Sequence, residues 1–172
     1  MATRLKSVAS KPDPLDGMSL PGWLYRDAEF FEAEKRAFLR AAAQVVCHES
    51  EIAAPGEWRS LEYLDESVIV IRGDDGEVRA FANVCRHRGS RLVDGTGGCA
   101  KVLTCPYHAW SYARDGRLAG VPHRNEYPGL EPDKLGLAPV ALEKWRGFLF
   151  VRLESGSPGA PSVAEMLSLI HI

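Results

Sequence analysis

A chain of 172 residues with 45% hydrophobic and 26% charged side chains carries enough apolar material for the core of one ordinary domain with appendages. Its net charge of -2 and the lack of a basic block exclude the electrostatic footprint that nucleic acid or an anionic membrane surface requires. No apolar run approaches a membrane span and the first residues lack the apolar centre of a secretory signal, so a cytoplasmic location is expected, where 4 cysteines point to metal binding, catalysis or burial rather than a disulfide scaffold.

Residues 1–19, with Pro12, Pro14 and Gly17, read as an extended arm. Residues 20–43 form a lead-in with a helix: Asp27 is placed to cap RDAEFFEAEKRAFLRAAAQ, acidic residues fill the first turns, and Phe31, Phe38 and Ala42 recur at helical spacing. From 44 to 153 the pattern changes. VVCH, EWRSLEYL and SVIVIRG are short and β-rich; RGDDGEVRAF carries the Asp-Gly signal of a tight turn between strands, SYARDGRLAG repeats it at Asp115-Gly116, and RGFLFVRL is a further strand. Short strands, glycine turns and one early helix predict a mainly β domain of antiparallel sheets with an N-terminal helix. Residues 154–172 leave this pattern. PSVAEMLSL reads as a helix start capped by Ser162, while LSLIHI at 167–172 is also the translation of CTGTCTCTTATACACATC, a DNA that resembles the transposon mosaic end used as a sequencing adapter. A truncated reading frame with a non-native tail is therefore the expectation there.

The stretch CRHRGSRLVDGTGGCAKVLTCPYHAW, residues 85–110, concentrates the chain's sulfur and imidazole. One residue separates Cys85 from His87 and two separate Cys105 from His108, and both pairs fall in loops that follow or link strands, where a rigid sheet can face them toward each other. Two thiolates and two imidazoles are a common zinc set. Zinc fingers of that composition, however, usually present a cysteine pair and a histidine pair, each bracketing a turn. Here each loop supplies one of each, the arrangement a [2Fe-2S] cluster needs if one iron takes both thiolates and the other both imidazoles.

Cys85-Arg-His87-Arg-Gly89 with Cys105-Pro-Tyr-His108-Ala-Trp110 resembles the Rieske motif. The resemblance implies a Rieske fold, with Cys85, His87, Cys105 and His108 as cluster ligands. Arg88, Gly89, Pro106, Tyr107 and Trp110 are expected around them. Gly89, DGTGG and Pro106 would let backbone amides approach the sulfurs, and Tyr107 and Trp110 would exclude water; the alternative is ordinary loop chemistry and core packing.

Beyond the motif, LPGWLYRDAEFFEAEKRAFLRAAAQVVCHESEIAAPGEW, NVCRHRGSRL, CPYHAWSYARDGRLAGVPH and WRGFLFVRL resemble the N-terminal part of the large (alpha) subunit of ring-hydroxylating oxygenases. The likeness runs from Leu20 to Leu153, and the long lead-in argues against a stand-alone Rieske ferredoxin. Ala109 departs from the family, which usually has glycine there, and suggests a loop backbone outside the glycine-only region. The family implies a mono- or dioxygenase that draws electrons from a reductase or ferredoxin, assembles as a homotrimer, and holds a mononuclear non-heme Fe(II) in a catalytic domain that this chain lacks. His48, His123 and His171 offer no facial triad for that iron. Cys47 and His48 read as a strand pair, one buried and one exposed, and Cys99 as a packing residue in its loop. Substrate is not legible.

Overall fold

A computed structural model describes residues 19–154 and 161–168. The expected arm, apart from its last residue, lies outside the described residues, as do His171 and residues 169–172 of the adapter-like tail.

Among the described residues ten strands build the domain: β1 (Gln44–His48), β2 (Glu57–Tyr63), β3 (Glu66–Arg72), β4 (Val78–Ala82), β5 (Thr96–Gly98), β6 (Val102–Thr104), β7 (Ser111–Ala113), β8 (Leu118–Gly120), β9 (Pro139–Trp145) and β10 (Phe148–Arg152). A 7-stranded sheet runs β1-β10-β9-β4-β3-β2-β5, a 3-stranded sheet runs β6-β7-β8, and the pairings are antiparallel. The mainly β architecture expected from the sequence is therefore the one observed.

Strand β3 shows why the core has two halves. Side chains alternate across a strand, so Val68 and Val70 enter a cluster with Cys47, Leu149 and Val151, while Ile69 and Ile71 enter another with Trp58, Phe81, Tyr112 and Leu137. All four of these β3 residues are at most 1% exposed, and burial of each such side chain is worth about 1.5–3 kcal/mol. The second cluster also contains Cys85, Cys105 and Trp110, so the apolar face of the large sheet forms the floor beneath the candidate site.

The Asp-Gly turns form as expected. Gly76 has φ 81 between β3 and β4, and Gly116 has φ 87 between β7 and β8. At Gly116 an added Cβ would also lie 2.4 Å from the Phe81 ring, so glycine is required twice over. A further turn, Arg146-Gly147 between β9 and β10, has both residues at positive φ (49 and 84), the backbone of a type I′ hairpin.

The lead-in helix differs from its expected form. Asp27 caps α1 (Ala28–Glu34), accepting from the Phe30 amide at 2.8 Å. The chain then widens over Lys35–Leu39, where the Arg40 amide reaches back to the Lys35 carbonyl at 3.1 Å. Phe31 and Phe38 stay 45% and 52% exposed, so helical spacing alone did not select the buried face. The buried residue is Lys35, its ammonium held by Glu32 and Asp65. At the other end Ser162 caps α2 (Val163–Ser168) as expected, receiving the Glu165 amide at 3.2 Å while Glu165 accepts the Ser162 amide at 2.8 Å.

Candidate metal centre

The two motif loops are copies of one backbone device. In the first, after β4, the Cys85 amide donates to the Ser90 carbonyl at 2.8 Å and the Gly89 amide to the Cys85 carbonyl at 3.0 Å. In the second, between β6 and β7, the Cys105 amide donates to the Trp110 carbonyl at 2.8 Å and the Ala109 amide to the Cys105 carbonyl at 3.0 Å. Each loop closes through a left-handed residue, Gly89 at φ 69 and Ala109 at φ 56. Ala109 thus takes a left-handed backbone that favours glycine but that other residues also adopt, so the expectation of a backbone outside the glycine-only region is not contradicted. The closing position demands the left-handed conformation, and Ala109 adopts it at a cost of about 1–2 kcal/mol.

This shared closure sorts the four predicted ligands by type. Cys85 and Cys105 are 2% and 3% exposed, at the top of the core, with their side chains within hydrogen-bonding reach of each other. His87 and His108 stand outside them with ring centroids 4.9 Å apart, His87 half-buried and His108 exposed. Among the described residues no group of three or more His, Cys, Asp or Glu converges as a single-ion site would require. A thiol pair on the inside and an imidazole pair on the outside is the split donor set of a two-iron cluster.

The local electrostatics suit thiolate and neutral imidazole. Burial raises the Cys105 thiol, but the amides of Tyr107 and His108, with the Cys85 and Ser90 side chains, outweigh it and hold the group below its ordinary value. Burial, then the neighbouring His108 and Arg88, pushes His87 down, favouring the neutral ring that binds metal.

The expected surroundings are present in part. Trp110 is 3% exposed and stacks on His87, with centroids 4.7 Å apart and planes 4° from parallel. Tyr107 is itself 60% exposed, and its ring stacks on one face of His108 with centroids 3.7 Å apart. Arg88, Gly89 and Pro106 are exposed. The DGTGG glycines serve strand pairing, since β5 lies along β2 and a Cβ on Gly97 would sit 2.6 Å from the Trp58 ring.

Sequence reasoning missed two buried polar residues. Tyr112, 0% exposed, places its hydroxyl 3.3 Å from the Cys85 sulfur and accepts the Arg86 amide at 2.9 Å. Burial first, then the Cys85 contact, holds this phenol well above its usual range, so it keeps its proton and can donate it to the Cys85 sulfur. Asn83, also 0% exposed, accepts the Leu92 and Val93 amides at 3.2 and 3.1 Å and donates to the Val93 carbonyl at 2.7 Å, fixing the exit of the first loop. The available signals were the alternation of SYA in β7 and an asparagine at the end of an apolar strand.

The remaining residues fall elsewhere. Cys47 is buried in β1; His48 is half-buried and caps the next turn, its Nδ1 2.8 Å from Ser50 Oγ. Cys99 packs on the core as expected. His123 is brought to the histidine side of the site, where it lines a cavity of about 320 Å³ with His87, His108, Trp110 and Tyr127.

Residues 42–140 match the family of the Rieske [2Fe-2S] domain. The chain is 37% identical over 155 residues to the carnitine monooxygenase oxygenase subunit of Escherichia coli K12, covering 90% of this chain and 41% of that protein. It is 41% identical over 142 residues to the glycine betaine monooxygenase oxygenase subunit of Chromohalobacter salexigens, covering 81% and 31%. Among solved structures, the quaternary ammonium Rieske monooxygenase CntA with L-carnitine superposes with a TM-score of 0.77 at 34% identity, covering 87% of this chain and 42% of that one. Naphthalene 1,2-dioxygenase from Rhodococcus sp. gives 0.77 at 29% identity, covering 88% and 34%. The chain thus spans less than half the length of these relatives. With a paired-loop site whose donors suit a two-iron cluster and a family match across most of the β domain, the chain belongs to the Rieske [2Fe-2S] family, and its relatives are oxygenase subunits.

Proposed function

We propose that the chain is the electron-transfer domain of an oxygenase large subunit, with residues 44–153 as the Rieske unit. Cys85 and Cys105 would hold one iron and His87 and His108 the other. The observation that carries this reading is the identical closure of loops 85–90 and 105–110, which leaves two thiols buried and two imidazoles outward. A bound cluster of this type supplies one-electron redox chemistry at roughly -150 to +300 mV, because two neutral imidazoles replace two anionic thiolates.

The protein's own groups shape that chemistry. Tyr112 donates to the Cys85 sulfur and the amides of Tyr107 and His108 to that of Cys105, which stabilises the negative charge on the sulfurs. Trp110 closes the inner face of His87 to water, while His108 is left exposed for a partner. The partners proposed are a reductase or ferredoxin as donor and, in a homotrimeric full-length protein, a mononuclear non-heme iron in a catalytic domain as acceptor. Carnitine and 2-aminobenzenesulfonate enzymes match at 37% and 36% identity, so the likeness of this part of the chain names no substrate.

The test is reconstitution followed by iron and sulfide analysis and reduction by a suitable reductase. The proposal requires stoichiometric iron and sulfide, reversible one-electron reduction, and no substrate oxidation by this chain alone. Stoichiometric zinc without sulfide contradicts the cluster, and substrate-dependent turnover contradicts the domain assignment.

A further inference from the structure

We infer that Tyr127 is a positioning residue for the cluster: held by Arg124, it fixes the plane of the His87 ring through Trp110. This rests on His87 being an iron ligand, as proposed above. The two imidazoles are unequally enclosed. His108 has an exposed tyrosine on one face, whereas His87 lies flat against buried Trp110 and meets Tyr127 edge-on, with centroids 6.1 Å apart and planes at 88°. Tyr127 also meets Trp110 edge-on, at 6.0 Å and 85°, so the three rings form a corner in which rotating any one collides with another.

Tyr127 comes from the connection between β8 and β9, where the Arg124 guanidinium ties two carbonyls together. Arg124 donates to the Tyr127 carbonyl at 2.6 Å and to the Leu130 carbonyl, closing a turn that begins at His123 with φ 52. Tyr127 and Leu130 pack on the same core cluster as the two cysteines. Among the described residues the Tyr127 hydroxyl has no hydrogen-bond partner, so the ring itself is what the site uses. A ligand ring held in one plane needs no rearrangement when an electron arrives, and outer residues that orient a ligand tune the metal behind it.

The test compares the cluster-loaded chain with Tyr127→Phe, Tyr127→Ala, Arg124→Ala and, as an exposed control in the same loop, Asn125→Ala. EPR, histidine nitrogen couplings of the reduced state and redox titration are the readouts. Tyr127→Phe and Asn125→Ala should match the parent. Tyr127→Ala should broaden the EPR lines and alter one of the two nitrogen couplings. It should also raise the potential, because the water it admits favours the reduced cluster, which carries one more negative charge. Arg124→Ala should do the same to a smaller extent, and decides the matter if Tyr127→Ala fails to load. Parent-like lines, couplings and potential in the loaded alanine variants overturn the inference. No histidine nitrogen coupling in the parent overturns instead the ligand assignment beneath it.

Discussion

Gly89 and Ala109 are equivalent residues: each donates its amide at 3.0 Å to the carbonyl of the cysteine that opens its loop, and each does so from a left-handed backbone. The candidate ligand histidines sit at different offsets from their cysteines, so it is this closure, and not the spacing, that relates the two loops. A Cβ on Gly89 would meet nothing within 4 Å, which leaves the backbone as the only cost of a side chain there. Ala109→Gly should therefore raise stability by about 1 kcal/mol, and Gly89→Ala should lower it by a similar amount. Denaturant midpoints of the two variants check this pair.

Tyr112→Phe keeps the buried ring and removes the hydroxyl that contacts the Cys85 sulfur. Without that donor the negative charge added on reduction is less stabilised, and the potential should fall. The Arg86 amide also loses its acceptor, at a cost of about 1–3 kcal/mol. Redox titration and thermal unfolding read the two effects separately.

Asn83→Ala should loosen the first loop. It strips partners from the Leu92 and Val93 amides and the Val93 carbonyl, each costing about 1–3 kcal/mol if left unpaired. Lower thermal stability and faster loss of iron to a chelator are the expected results.

Glu143 joins the sheet to α2, accepting from Arg152 at 2.8 Å and from the Val163 amide at 2.8 Å. Burial raises this carboxyl, but the Val163 amide and Arg152 outweigh it and hold it below its usual range. A depressed carboxylate contributes stability above its unfolded pKa and loses it as pH falls through the folded one. Hydrogen-exchange protection of the Val163 amide should thus decline on acidification below the ordinary carboxylate range. In Glu143→Gln it should be lower at neutral pH and insensitive to acid.

The sequence made the strands, both Asp-Gly turns and the four candidate ligands legible because each follows from local chemistry: alternation, positive φ, and donor type. What it concealed depends on distant partners. Phe31 and Phe38 have helical spacing yet remain exposed, because burial depends on what packs against a face and not on period. The left-handed backbone of Ala109 was not legible because the loop closure imposes it and residue preference does not announce it. Tyr112 and Asn83 matter through contacts with Cys85, 27 residues away, and Val93, 10 residues away, and neither residue type announces that role.

The central claim is that His87 and His108 together hold one iron of the cluster, and redox titration of His87→Cys tests it most directly. The parent should titrate within roughly -150 to +300 mV, and the variant, with one thiolate restored to the outer iron, should fall toward the roughly -400 mV of all-thiolate plant-type clusters. An unchanged or higher potential in the loaded variant would contradict it.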